Sequence, residues 1–451
     1  GGGTWVYLGT FEFDKGNNDY GMVVLSNESK EDGVVCADAV RFGGGMGNIS
    51  RGGNVSGLPR YLEGARYSAQ WGGMPYEVYA GKKGENDYTD DINVRSNALN
   101  YLSGGSVFNP KEKGLGVPLE MAVALHSDAG HSRTDEIIGS LGIYTTDFNN
   151  GQLNTGIDRY ASRDLSDILL TQIQNDIRAA YNIPWTRRSM WNRNYSETRL
   201  PSVPSTIIEL LSHQNFADMQ LGHDPNFKFT VGRAIYKGVL RFINSQHGKE
   251  SVVQPLPVSN FAIRFGKKKN TLELSWQGEN DPLEPTATPR EYMVYTRVGY
   301  GGFDNGVLVN KPSHVVKIEP GLVYSFKVTA VNGKEGKGSL GDSGSELEGM
   351  KIIGNTFDYS FIHGKAIQAT GRYSFVSCSD EAVENERVQL EEYPIVDYIL
   401  GLEKENTTDR AYYKTFSSAM QRIITAYCQS GGNILVSGSY VGSDMSTSQG
   451  N

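Results

Sequence analysis

The pattern of apolar residues changes along this chain of 451 residues, and that change limits its possible folds more than any other feature. Residues 1 to about 50 carry short alternating runs separated by Gly and Asn turns, which predicts antiparallel strands at the end of a β-sandwich. From about 58 to 248, apolar strands alternate with helical patterns, and from 258 to 350 short alternating strands return. A single core cannot produce this succession, so several domains are predicted.

Charge and composition exclude some classes of protein. The chain has 43 Lys and Arg against 51 Asp and Glu, and it has no basic block, which argues against nucleic-acid binding. No run approaches the roughly 18 apolar residues of a membrane helix, so no transmembrane segment is predicted. The three cysteines lie far apart and without CxxC spacing, which excludes a zinc site made of thiolates.

The predicted fold class is therefore a multidomain combination of α/β and all-β domains. We predict a β-sandwich segment over 1–53, an α/β domain with a parallel or mixed sheet over 54–250, a second β-sandwich over 255–350 and a partial α/β domain over 351–451. In the α/β domain, helices are predicted after Asp91, from Ser162 onwards and over 231–243. The apolar runs 121–125 and 206–208 predict central strands that are buried on both faces.

Two titratable residues follow these central strands directly. His126 comes after EMAVAL and Glu209 after STII, and ligands of α/β sheets collect at the carboxyl ends of the strands. A neutral imidazole is a good zinc ligand, and a nearby carboxylate can take the proton of metal-bound water. This pattern favours hydrolysis, although a single His after a strand is more often a hydrogen-bonded structural residue.

These residues lie in stretches that resemble a known family. VALHSDAG resembles the strand that carries a metal-binding His in zinc-dependent N-acetylmuramoyl-L-alanine amidases of the amidase 3 class. VPSTIIELL and the residues after it resemble that family's closing segment with the catalytic Glu, and NDYTDDINVRSNALNYL resembles the helix before the ligand strand. The resemblance implies that His126 binds metal, that Glu209 is catalytic, and that the full-length protein uses zinc to cleave the amide between the muramyl lactyl group and L-alanine.

The chain departs from that family in one respect. The family's metal site also takes a His from an early GHGG-type motif and a Glu that follows it, and neither motif occurs here. Either these ligands precede Gly1 or the site is inactive. GGGTWVYLGTFEFDKG and GVVCADAVRFGGGMG resemble the golvesin-like domain of bacterial surface proteins labelled xanthan lyase, where it looks like an insertion in an amidase-like domain. This resemblance favours the first alternative, in which the missing ligands precede Gly1.

Other stretches add to the functional prediction. Residues 255–350 resemble a fibronectin type III module, with Trp276 as its core tryptophan. His131 could approach the metal or the substrate, Arg199 a peptide carboxylate, and Trp191 a sugar ring, although each also fits a solvated or packing role.

The predicted protein is a secreted, periplasmic or cell-surface hydrolase of peptidoglycan or another polysaccharide. Two alternatives stay open: a non-catalytic polysaccharide-binding surface protein, and a polysaccharide-degrading protein similar to those labelled xanthan lyase. The sequence leaves the oligomeric state open.

Overall fold

The computed structural model describes residues 11, 14, 21–26, 28, 40, 50–51, 54–55, 64–110, 114–134, 136–333, 359–401, 406–408 and 411–445. Described residues before Gly248 form one unit, and those from Gly248 onwards form another. The β-sandwich predicted over 1–53 lies almost wholly outside the described residues. Within the described part of the chain, no helix is both long and apolar enough to cross a bilayer.

The first unit alternates helices and strands. Its helices are α1 (Ala65–Trp71), α2 (Tyr76–Tyr79), α3 (Asp87–Leu102), α4 (Tyr160–Tyr181), α5 (Ser196–Arg199), α6 (Phe216–Gly222) and α7 (Pro225–Gln246). Its strands are β1 (Ser50–Arg51), β2 (Asn54–Val55), β3 (Ala122–Asp128), β4 (Leu141–Tyr144), β5 (Trp191–Asn192) and β6 (Ser205–Ser212). A 3₁₀ turn spans Asn149–Gly151.

The helices α3 and α4 begin earlier than the sequence predicts. The Asn86 side chain caps α3 by accepting a hydrogen bond from the Thr89 amide at 2.9 Å, so the helix includes the predicted start at Asp90 and Asp91. Asp90 is buried and accepts instead from the Lys82 amide at 2.6 Å. Polar residues near a helix start are ambiguous in sequence because they can cap the helix or brace another segment.

The main sheet of the first unit has the order β3-β6-β4-β5. β3 runs parallel to β6, β4 runs antiparallel to β6, and β5 runs parallel to β4, so the sheet is mixed. The prediction of two central strands is wrong for β3, which is an edge strand among the described strands of this sheet and leaves Leu125 56% exposed. β6 is central, and its first four residues are buried.

Helix α4 covers one face of this sheet and packs on α7. A Cβ at Gly142 of β4 would lie 2.3 Å from the Ser166 Oγ of α4, so only glycine permits this close approach.

Between the two helices, Lys237 Nζ lies 2.7 Å from Asp176 Oδ2, with side chains only 1% and 6% exposed. Gln172 Nε2 donates to the other carboxylate oxygen of Asp176 at 2.8 Å.

The second unit contains a β-rich part and an α/β part. Its strands are β7 (Ser259–Phe265), β8 (Thr271–Gln277), β9 (Glu291–Val298), β10 (Val307–Val309), β11 (Ser313–Lys317), β12 (Tyr324–Val331), β13 (Ile395–Gly401), β14 (Asn406–Thr408), β15 (Ala411–Tyr413) and β16 (Asn433–Gly438). Its helices are α8 (Tyr359–Ala369), α9 (Asp380–Glu384), α10 (Ser418–Gln429) and α11 (Val441–Met445), with 3₁₀ turns at Pro285–Ala287 and Leu390–Glu392.

Two antiparallel sheets, β10-β9-β12 and β11-β8-β7, contribute to one core in the second unit. Trp276 lies in this core as predicted, 6% exposed, with its ring centroid 5.3 Å from that of Tyr292. β13 and β16 pair in parallel, and α10, Gly431-Gly432 and β16 follow one another as the sequence predicts. The multidomain α/β plus all-β fold class is thus confirmed, whereas the domain boundaries and the fibronectin likeness stay predictions.

Candidate active site

His126 and Glu209 are direct register partners on the parallel strands β3 and β6. Parallel neighbouring strands lie about 4.8 Å apart, and their carboxyl ends lie at the same end of the sheet. Both side chains therefore reach one rim of the sheet. His126 Nδ1 lies 4.0 Å from Glu209 Oε1, and the two side chains are 30% and 16% exposed. The structure therefore brings together the two residues that the sequence singles out, while their chemical roles stay predictions.

A second carboxylate, from Glu197, lies at the opposite edge of the imidazole. Its Oε2 is 3.0 Å from His126 Nε2 and 3.3 Å from Arg95 Nη1 of α3. Glu197 is not predictable from the sequence, because it lies in the polar stretch NRNYSETR, on the one-turn helix α5 and without apolar periodicity. His126 is thus held between two carboxylates, one near each ring nitrogen.

Arg159 holds the α5 segment in place. Its guanidinium, 1% exposed, donates to the carbonyls of Thr198 at 3.1 Å and Arg199 at 2.8 Å, and its Nε donates to the Gln152 carbonyl at 3.0 Å. A helix of one turn leaves its carbonyls without partners inside the helix, so these hydrogen bonds stabilise the segment that presents Glu197.

The surroundings shift the pKa of all three groups. The hydrogen bond with Glu197 raises the pKa of His126 above its usual value despite burial, which lowers it. Burial raises the pKa of Glu197, but the hydrogen bond from His126 and the charges of His126 and Arg95 outweigh it, so the net pKa is lowered. Burial raises the pKa of Glu209, and the nearby Asp128 carboxylate adds to that rise.

Glu209 differs from Glu197 in its hydrogen bonding. Its Oε2 is buried and has no hydrogen-bond partner among the described residues, although a buried carboxylate oxygen is normally paired. Asp128, two residues beyond His126, is engaged elsewhere, since it accepts from Arg188 and from the Gly130 amide. Glu209 is therefore a carboxyl group of this rim with a buried oxygen that no described residue pairs.

The described residues do not form a complete zinc site. Imidazole and carboxylate are suitable donors, but Glu197 and Glu209 face different nitrogens of His126, so at either nitrogen at most two donors meet. Across the described residues, no three His, Cys, Asp or Glu side chains are grouped to hold a metal. Catalytic zinc normally has three protein ligands, so this set of donors is too small to hold it.

Within the part of the chain that the structure describes, the other predicted site residues form no hydrogen bond or ion pair with His126 or Glu209. His131 is exposed, and within the described chain it makes no hydrogen bond or ion pair. Arg199 Nη1 donates to the Asn194 carbonyl at 2.8 Å, so its side chain stabilises the turn that precedes α5. Trp191 is 41% exposed on β5, with the guanidinium carbons of Arg188 and Arg193 at 5.8 and 5.9 Å from its ring centroid.

Replacing Glu197 by Gln is expected to lower the pKa of His126 towards its ordinary value, because the hydrogen bond with the carboxylate is the largest cause of the rise. The pairing stabilises the fold fully below the unfolded pKa of histidine, and this stabilisation is lost as the pH rises through the higher folded pKa. An NMR titration of the His126 ring protons measures the shift. Glu77→Gln, an exposed change on α2, is the control, and an unchanged His126 pKa in Glu197→Gln would contradict the assignment.

Comparison with known proteins gives two kinds of similarity. The family model of the Golvesin C-terminal domain matches residues 1–44, which confirms the predicted golvesin-like segment over that range. No curated protein matches the chain.

Among solved structures, the chain is similar to N-acetylmuramoyl-L-alanine amidases. The CwlD amidase from Clostridioides difficile, solved in complex with the GerS lipoprotein, is 17% identical, with 37% of this chain and 70% of that chain covered and a TM-score of 0.26. The amidase of Clostridium difficile 630 is 15% identical, with coverages of 38% and 80% and a TM-score of 0.25. Ami1 from Mycobacterium smegmatis is 21% identical, with coverages of 28% and 55% and a TM-score of 0.22, so the chain spans about half the length of that relative.

Proposed function

We propose that the first unit is a bacterial cell-wall hydrolase that cleaves the amide between the muramyl lactyl group and L-alanine in peptidoglycan. The observation that carries the proposal is the pairing of His126 with Glu209 at the carboxyl ends of adjacent parallel strands. The raised pKa of Glu209 supports it, because a general acid–base group works best when its pKa lies near the working pH.

In the proposed reaction, Glu209 carries the proton. Its carboxylate takes a proton from the attacking water, and the resulting carboxylic acid then gives that proton to the nitrogen of the departing L-alanine. The 4.0 Å gap between Glu209 Oε1 and His126 Nδ1 is too long for a hydrogen bond and fits a water that contacts both atoms. Glu197 keeps the His126 ring oriented while this exchange takes place.

Zinc is the proposed metal of this reaction. Its further donors would have to come from residues that the structure does not describe, since the described ones supply at most two at either nitrogen of His126. The proposed location is the periplasm, the cell surface or the medium, where peptidoglycan is accessible. The golvesin-like segment over 1–44 and the β-rich part of the second unit would hold the enzyme against the wall or its polysaccharides.

Digestion of purified peptidoglycan tests this function. Sacculi are incubated with the protein, with and without added zinc, and the products are analysed by mass spectrometry. We expect peptides with a free amino group on L-alanine and glycan strands of unchanged length. Release of unsaturated sugars would instead support a polysaccharide lyase. Binding to sacculi without any released peptide, with zinc present, would support the non-catalytic alternative, which the incomplete set of metal donors favours.

A further inference from the structure

Tyr300 is an exposed aromatic side chain on a loop of the second unit that is held at both ends. It is 81% exposed and lies between β9 and β10. At the start of this loop, the Gly299 amide donates to the Val323 carbonyl at 2.9 Å. Further along, the Asp304 amide donates to the Thr296 carbonyl at 2.9 Å. Because the loop is already ordered, a ligand that binds the Tyr300 ring causes a smaller loss of chain entropy.

Helix α8 places a second aromatic ring and a cation beside Tyr300. The ring centroid of Phe361 lies 5.3 Å from that of Tyr300, with the two ring planes at 85°. Lys365 is four residues after Phe361, and its Nζ lies 5.3 Å from the Tyr300 ring centroid. Residues four apart lie on the same face of a helix, so one face of α8 presents both the ring and the ammonium to Tyr300.

Contacts with both parts of the second unit hold α8 in this position. On the β-rich side, the guanidinium carbon of Arg297 from β9 lies 4.9 Å from the Phe361 ring centroid. On the α/β side, His363 Nδ1 lies 2.8 Å from Asp397 Oδ2 of β13. The exposed ring and the ammonium therefore come from different parts of this unit, and α8 brings them together.

Lys365 is an available cation beside the exposed ring, although the whole chain carries a net charge of −8. Within the described part of the chain, Lys365 forms no ion pair or hydrogen bond. Helix α8 contains no acidic residue. Asp304, the acid of the Tyr300 loop, already accepts from the Thr296 and Gly306 amides at 2.9 and 3.0 Å. A ring and an ammonium in this arrangement suit a ligand that has both an apolar face and a negative charge.

We propose that Tyr300 and Lys365 form a binding site for an acidic polysaccharide, one whose sugars carry carboxylate groups. The Tyr300 ring packs against the C–H face of a sugar, and the Lys365 ammonium pairs with the carboxylate of that sugar. The 5.3 Å between the ring centroid and the ammonium is comparable to the length of one sugar residue. This site goes beyond the proposed hydrolysis, because it lies in the second unit and binding needs no bond cleavage.

Affinity electrophoresis of the full chain tests the site. The native gels contain polygalacturonate or its fully methyl-esterified form, which has the same backbone without the charge. We expect polygalacturonate to retard the protein more strongly than the ester does. Lys365→Gln should raise the dissociation constant for polygalacturonate roughly fivefold, and Tyr300→Ala should raise it roughly tenfold. Lys311→Gln, which changes an exposed lysine outside α8 and the Tyr300 loop, should leave it unchanged.

A further variant separates the loss of charge from a loss of structure. Lys365→Arg keeps the positive charge, so it should bind polygalacturonate like the unchanged protein, with the same thermal unfolding. Weakening by Lys365→Arg as large as by Lys365→Gln would contradict the role given to the charge.

Equal retardation by the two polymers, no retardation by either, or an effect of Lys311→Gln as large as that of Lys365→Gln would each overturn the site. Equal retardation by polyphosphate would overturn it as well, because the surface would then select negative charge and not a sugar. The two proposals fail separately. Retardation without digestion of peptidoglycan contradicts only the proposed hydrolysis, whereas digestion without retardation contradicts only the polysaccharide site.

Discussion

Replacing Glu209 by Gln is expected to lower the rate of peptidoglycan hydrolysis by roughly 10²- to 10⁴-fold, the usual contribution of a positioned general acid–base group. Glutamine keeps the size and polarity of the side chain, but it cannot accept and return a proton. The rate of release of L-alanine-terminated peptides measures the effect. Glu77→Gln on α2 is the matched control, since it removes an exposed carboxylate and should leave the rate unchanged.

The same substitution has a predictable effect on stability. The pKa of Glu209 is raised in the folded protein, so its contribution to stability is present at low pH and lost as the pH rises through that folded pKa. Glu209→Gln should therefore be at least as stable as the unchanged protein at neutral pH, and its stability should depend less on pH in the acidic range. A rate that falls only because the variant unfolds, or an unchanged rate in a folded variant, would contradict the proposed role.

Replacing Lys237 by Met is expected to destabilise the first unit by about 3–5 kcal/mol, because the Asp176 carboxylate would stay buried without its cation. Both side chains are almost fully buried between α4 and α7, so water cannot compensate for the lost partner. Amide hydrogen exchange of α4 and α7, followed by mass spectrometry in the full chain, reports the loss for this unit alone. Exchange from both helices should become faster.

Two further variants separate the ion pair from other causes. Lys228→Met, an exposed change on the same helix α7, should alter stability by less than about 0.5 kcal/mol. The double variant Lys237→Met, Asp176→Leu removes both charges, so it should lose less than the sum of the single variants even though Gln172 then lacks its acceptor. Strictly additive losses would show that the two charges do not stabilise each other.

The helices of the first unit illustrate how much of the fold follows from local patterns. The apolar spacing along α4 and α7 is sufficient to predict both helices, because each buries one face against the same neighbours along its length. Their starting residues are not predictable in the same way. The sequence predicts that α4 starts at Ser162, yet this residue lies inside the helix and accepts a hydrogen bond from the Ser205 amide at 3.0 Å, a contact that only the folded chain brings about.

In the candidate site, too, some residues follow from local sequence patterns and others depend on contacts that only the folded chain makes. His126 and Glu209 could be predicted because each follows an apolar run, at the carboxyl end of a strand, where ligands of α/β sheets collect. Glu197 could not, because its position beside His126 depends on α5 and on the buried Arg159, neither of which leaves a periodic pattern in the sequence. Likewise, Trp191 acquires a common face with Glu209 only through the register of the three strands β5, β4 and β6.

The sequence by itself determined the succession of β-rich and α/β parts, the principal helices of the first unit and the two strand ends that carry His126 and Glu209, because burial patterns repeat over neighbouring residues. Tertiary structure alone decided that β3 lies at the edge of a mixed sheet and that a second carboxylate faces His126. Strand order and side-chain pairing depend on contacts between residues far apart in the chain, and such contacts are selected by the packing of the whole unit.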